Sequence, residues 1–147
     1  MKKALLLVLA ALMVPSVAFA AKPSTPPPHP GPKAPKVTYR FSGTLSDYTA
    51  YDSVTPANGM ISILVNHANK GLNHRPVPGL KGKTLTFPVD ANTKIHLADG
   101  VTAIANGDRG GITIRAAKNI AAASLIATLQ ASPARQIHDN GPPKPKS

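Results

Sequence analysis

Residues 84–97, TLTFPVDANTKIHL, decide the fold. Leu85, Phe87 and Val89 alternate with Thr84, Thr86 and Pro88; after Asp90-Ala91-Asn92, Ile95 and Leu97 alternate with Lys94 and His96. Successive side chains of a strand point to opposite faces, so a period of two predicts a half-buried strand. The stretch reads as two paired strands joined by a tight turn, with Asp and Asn at the turn because their side chains bond the nearby backbone. A small β-barrel follows when the flanking residues are read the same way.

Upstream, residues 37–45 (VTYRFSGTL) place Val37, Tyr39, Phe41 and Leu45 on one face. Gly43 sits among them, where a bulge or bend would let a sheet curl. Residues 47–59 form a polar turn region ending in Asn58-Gly59, a hairpin signal. Residues 60–67 are the second strand, with Ile61, Ile63 and Val65 on one face and Met60, Ser62, Leu64 and Asn66 on the other. Residues 68–83 (ANKGLNHRPVPGLKGK) read as a long loop without regular structure, because Pro76, Pro78, Gly79 and Gly82 lie close together.

Downstream, residues 98–100 and 106–108 are turns, residues 101–105 read as one helical turn, and residues 112–115 are a strand with both isoleucines inward. Across residues 116–130 the alanines, with Ile120, Leu125, Ile126 and Leu129, suit an amphipathic helix, while residues 125–129 would equally suit a strand; a helical insertion over about 120–130 is the favoured reading. Residues 133–139 (PARQIHD) supply the closing strand.

The ends differ from the middle. Lys2 and Lys3, an apolar run over residues 4–14, Pro15 and Ala18-Phe19-Ala20 make residues 1–20 a signal peptide cleaved after Ala20. Residues 21–36 carry seven prolines, which fix φ and remove amide donors, so this is a disordered or polyproline spacer. Residues 141–147 (GPPKPKS) repeat that composition as a disordered Pro/Lys tail. No second apolar stretch is long enough for a membrane helix, so the mature chain is expected outside the cytoplasm with no transmembrane segment.

The order of elements carries a resemblance. FSGTL, GKTLTFPVDANTKI, ANGDRGGITIRA and PARQIHDN supply Gly43-Thr44, Gly82 through Phe87, Thr93 and Ile95, Gly107-Asp108, and Ala134-Arg135. This resembles a bacterial domain of unknown function, common in exported proteins of actinobacteria, built as a small OB-like barrel. The resemblance implies a fold and a compartment and no chemistry. The expected architecture is all-β: a five- to six-stranded OB-like barrel over residues 37–140 with one short Ala-rich helical insertion, flanked by the two tails.

Composition bounds the function. Lys and Arg number 17 against six acids, a net charge of +11, and every acid is an aspartate. Such a balance favours anionic partners and also keeps an exported protein soluble. The absence of cysteine excludes disulfides, thiol nucleophiles, thiolate metal sites and a lipid-anchored N-terminus. The aspartates fall in or beside turns, there is no G-x-S-x-G, and the glycine-rich residues 107–111 lack the lysine of a phosphate loop. The chain is therefore read as not an enzyme, with no cofactor.

His67, His74 and His96 are candidate metal ligands by residue type, but their spacing fits no site and neighbouring Lys and Arg would oppose a cation; no metal is expected. The aromatic count argues against nucleic-acid binding by a stacking face: Tyr39, Phe41 and Phe87 read as core, which leaves Tyr48 and Tyr51. The expected contact is with a cell-wall or other anionic polymer, through Lys70, His74, Arg75, Lys81, Lys83, Lys94 and Arg115 together with the basic tails. The alternative is a structural module that pairs with a protein through an exposed strand edge.

Overall fold

The computed structural model describes residues 34–54 and 59–145. The expected leader, nearly all of the Pro-rich spacer, residues 55–58 of the expected hairpin and the last two residues lie outside them. Seven strands make one sheet: β1 (Lys36–Thr49), β2 (Gly59–Lys70), β3 (Arg75–Pro76), β4 (Thr84–Val89), β5 (Lys94–Leu97), β6 (Arg109–Ala117) and β7 (Ala134–Asp139). A 3₁₀ turn at Ala122–Ser124 runs into the one short helix, α1 (Leu125–Gln130). The chain is all-β, as its alternation requires, and the Ala-rich insertion is helical.

The strands are ordered β3-β2-β1-β6-β7-β5, with β4 also on β2. Every pairing is antiparallel except β5 with β7. Residues 84–97 are two strands about a turn, but they do not pair with each other: β4 runs along β2 and β5 along β7. The ladder is therefore open, and the sheet has seven strands where five or six were expected. The turn between β4 and β5 explains the divergence. The Thr93 hydroxyl accepts from the Asp90 N–H (3.0 Å) and donates to the Ala134 carbonyl of β7 (2.6 Å), while Asp90 Oδ1 accepts from the Asn92 N–H (2.9 Å). These bonds direct the chain onto β7 instead of back along β4.

Strict alternation fails at three bulges, and each failure positions a side chain. Ser42 lies opposite His67 but Gly43 opposite Val65, so Asn66 is the extra residue on β2. The inward set on β2 consequently jumps from Val65 to Ala68, and Asn66 and His67 are both exposed. On β1 the two residues Asp47 and Tyr48 stand against the single Ile61 of β2, with Asp47 at φ 52, a region that Asp tolerates better than most residues. On β7 Arg135 is extra, and the inward set runs Ala134, Ile137, Asp139. Bulges sharpen local twist, which curls this sheet around one core.

That core draws on β1 (Tyr39, Phe41, Leu45), β2 (Ile61, Ile63, Val65), β4 (Leu85, Phe87, Val89), β6 (Ile112, Ile114) and β7 (Ile137), all buried. Phe41 and Phe87 pack with ring centroids 5.2 Å apart and tilted by 30°. Leu129 of α1 is fully buried against it. The sequence assigned Tyr39, Phe41 and Phe87 to this core, and they lie there.

Three local expectations are corrected. Ile95 and Leu97 are exposed, at 40% and 37%, because β5 pairs on one side only and no further described strand covers that margin. Residues 101–105 make no helical turn; the Ala105 N–H goes to Asp108 Oδ2 (3.0 Å), not to a carbonyl one turn back. Residues 68–83 are not a free loop. Residues 68–70 continue β2, β3 pairs with it, and Gly82 N–H and Lys83 C=O bond Val65 at 2.7 and 2.9 Å. Leu80, buried to 1%, pins the segment to the core.

Gly43 supplies the test of this architecture. A Cβ there would fall on the Leu64 carbonyl oxygen and against the Asn66 amide nitrogen at 3.2 Å. Backbone cannot yield as a flexible side chain does. Gly43→Ala should cost about 1–3 kcal/mol or more, read in a thermal melt as a drop of roughly 5 °C or more. An unchanged melting temperature would remove the bulge from its place in the fold.

Candidate functional site

The charged residues of the sheet meet according to strand register. β1 begins at Lys36, and Arg40 lies opposite both Asn69 of β2 and Thr113 of β6. Thr38 lies opposite Arg115, and the Thr38 carbonyl accepts from the Gly71 N–H (2.8 Å). The tight turn between β2 and β3 therefore leans over the start of β1. Its form needs two left-handed residues, Gly71 (φ 72) and His74 (φ 48).

Two depressions flank this turn. One, of about 400 Å³, is lined by Lys70, Arg75, Lys118 and the turn residues 71–73; the other, of about 290 Å³, by Lys36, Arg40 and Arg115 with Gly71 and Leu72. Both include Val37, so they share a wall. None of the described lining residues is acidic. The Lys70 ammonium lies 5.9 Å from the centroid of the Tyr39 ring, an approach that holds a cation by the ring's negative face.

The seven residues singled out from the sequence are thus divided. Lys70, Arg75 and Arg115 border the shared turn. His74 lines a shallower depression on the outer face with Arg40, Asn69, Gln136 and His138. Lys81 joins His67 and Arg109 in another, and Lys94 joins Arg135 in a further one. Lys83 is exposed at the start of β4 and lines none of these. Along β2, Lys83 sits level with Val65 and Arg75 with Lys70, about 16 Å apart at strand rise. Lys36 and Lys118 were not singled out, because the sequence separates them from residues 70–75; β-pairing and a Lys118 N–H to Pro35 C=O bond (2.8 Å) unite them.

The outer face carries a row set by register: His67, Ser42, Gly111, His138 and His96. His96 and His138 stack with centroids 4.7 Å apart and planes 9° from parallel. Among the described residues no group of three or more His, Cys, Asp or Glu is placed to hold a metal. Tyr48 is half-buried against the core and Tyr51 is 36% exposed. Among the described residues no helix is long and apolar enough to cross a membrane.

Two carboxyls do converge, Asp108 and Asp139, and both are buried. They line none of the depressions above and serve turns: Asp108 Oδ2 accepts from Ala105 N–H, and Asp139 Oδ1 from Gly141 N–H (2.8 Å). Gly141 is buried and its carbonyl accepts from Arg109 N–H (2.9 Å), so it belongs to the sheet margin. Asp139 Oδ2 is buried without a partner. Burial pushes the Asp139 carboxyl up from the usual range, and the Asp108 charge adds to this, against the opposing Gly141 bond.

No protein-family model, curated protein or solved structure matches the chain.

The raised Asp139 carboxyl has a definite sign. Folding favours its protonated form, so its contribution is fully present below the ordinary carboxylate range and is lost as pH rises through the raised value. Asp139→Asn keeps an acceptor for Gly141 and offers Asp108 a donor. Its melting temperature relative to the parent should be most favourable near neutral pH and should decline on acidification. A difference that does not vary with pH would contradict the assignment.

Proposed function

We propose that the protein is a non-catalytic, exported, envelope-associated module that contacts anionic polymers through the basic end of its sheet. The observation that carries this reading is the meeting of Lys36, Arg40, Lys70, Arg75, Arg115 and Lys118 around one turn with no acid among the described lining. The cations come from β1, the β2–β3 turn and β6 with its exit, so their meeting is a property of the fold and not of one basic run. The tails add lysines at both ends of the sequence. The signal peptide places these charges among envelope polyanions such as wall polymers.

The OB-like reading is supported by the pairings. With β4 and β5 counted as one interrupted strand and β3 as an edge addition, the neighbours run β1, β2, β4/β5, β7, β6 and back to β1. That circuit fits a five-stranded, partly open barrel of the kind whose faces and loops bind oligosaccharides and oligonucleotides. A wall polymer suits the surface better than a nucleic acid, because the large aromatic rings are mostly committed to the core and few remain to stack bases. The likeness to the exported actinobacterial domain is part of this proposal.

A second reading rests on β5. It pairs on one side only, parallel to β7, and exposes Ile95 and Leu97. Such an edge can accept a strand from a protein partner.

Retention on purified cell wall across a salt series separates these. Lys70→Glu with Arg75→Glu should elute at markedly lower salt than the parent, and the parent's own retention should fall steeply with ionic strength, since exposed charge contacts are screened over about 8–10 Å. Lys81→Glu with Lys83→Glu should have the smaller effect. Retention that ignores ionic strength would reject the electrostatic contact and favour the strand edge.

A further inference from the structure

Leu72 is the most exposed large hydrophobic residue among those described, at 90%, and it stands in the wall shared by the two basic depressions. We propose that this turn docks the protein on an anionic lipid surface, with Leu72 entering the boundary between headgroups and acyl chains and the surrounding cations seated among the headgroup phosphates. The proposal rests on the reading of this surface as a polyanion contact and adds to it a second anionic partner, a lipid leaflet.

A soluble polyanion gives a leucine at this position nothing to bury against. Charge recognition would be served as well by serine or asparagine, which hydrate at no cost. A bilayer rewards both components: an apolar side chain at the interface gains by its buried area, and Lys or Arg near an anionic leaflet add increments of their own. The turn is also held in place. Gly71 N–H bonds the Thr38 carbonyl, β3 pairs with the end of β2, and the Lys70 ammonium is kept beside the Tyr39 ring. Leu72 is thus presented on a fixed loop, with little ordering left to be done on contact.

Three of the aspartates stand away from this turn. Asp47, Asp108 and Asp139 gather at the far end of β1, through Asp47 N–H to Asn106 Oδ1 (2.8 Å), Leu45 N–H to Asp108 C=O (2.8 Å), and Asp139 opposite Gly110. The other highly exposed aliphatic, Val54 at 87%, follows that far end and donates its N–H to Asp52 (2.9 Å), so its surroundings include an acid, which the lining at Leu72 does not. The Leu72 turn combines the most exposed large apolar side chain among those described with a cationic lining that holds no acid.

The chain contains no tryptophan, so Leu72→Trp places a single indole at the tip. Protein purified after export would be mixed with vesicles of phosphatidylglycerol and phosphatidylcholine in equal parts, with phosphatidylcholine vesicles, and with heparin as a soluble polyanion. A blue-shifted emission with the anionic vesicles alone is expected; emission unmoved by them overturns the proposal. In co-sedimentation, Leu72→Ser should lower the vesicle-bound fraction about five- to tenfold while leaving elution from heparin unchanged. Equal sedimentation of Leu72→Ser and parent overturns the lipid contact and leaves the polyanion reading standing. Heparin elution unmoved by Lys70→Glu with Arg75→Glu overturns the polyanion reading itself.

Discussion

At Gly43 the backbone of β1 meets the Leu64 carbonyl of β2 with no room for a side chain, and the rest of the structure depends on that approach. It permits Asn66 to be carried as an extra residue on β2, which reverses the phase of everything beyond it. Ala68 turns inward, His67 turns outward beside Ser42, and β2 runs on to Lys70. The β2–β3 turn is thereby delivered over Thr38, where its cations join those of β1 and β6. Opposite Gly43 stands Gly110, whose own Cβ would fall on the His138 carbonyl and the Leu45 side chain. Two glycines facing each other let β1 close in on β2 and β6 close in on β7 at the same level.

Much of this was legible, for a physical reason. β1, β2, β4, β6 and β7 each bury one face, so their apolar residues had to alternate, and the alternation could be read. β5 alternates just as cleanly, yet its isoleucine and leucine are exposed. Period two reports that a strand has two faces; it does not report whether a neighbour covers one of them. Pairing partners were equally hidden. Asp90-Ala91-Asn92 announces a turn, but the bond that sends β5 to β7 runs from Thr93 to the Ala134 carbonyl, 41 residues on. The loop 68–83 looked irregular because its prolines and glycines break the pattern, while its backbone still bonds β2 through Val77, Gly82 and Lys83.

The candidate surface was half visible. A run holding Lys70, His74, Arg75, Lys81 and Lys83 with no acid stands out in the sequence. Its separation into groups does not, since a strand spreads residues at about 3.3 Å each while the screening length in physiological salt is about 8 Å. Residues 70–75 and 81–83 therefore act as separate charges, and the nearer partners of Lys70 are Arg75 and Lys118. The acids follow the same logic. Turn chemistry accounts for Asp52, Asp90, Asp108 and Asp139, whose carboxylates accept nearby backbone N–H groups. Nothing in the sequence marks Asp108 and Asp139 as neighbours, because it is the β6–β7 pairing that brings them together.

The two exposed apolar places on this surface call for different chemistry. At β5 the side chains of Ile95 and Leu97 flank a strand with one edge left over, so a partner there would gain backbone hydrogen bonds and must itself be an ordered strand. At Leu72 two of the turn's amides are spent internally, Gly71 N–H on the Thr38 carbonyl and His74 N–H on the Gly71 carbonyl. A partner at that place meets a turn and not the length of a strand edge. It gains from the side chain and from the cations beside it, and both can be satisfied by a surface that is fluid, anionic and apolar just beneath its charge. The edge belongs to β5 and the tip to the β2–β3 turn, at opposite ends of the strand order, so the two contacts draw on separate residues.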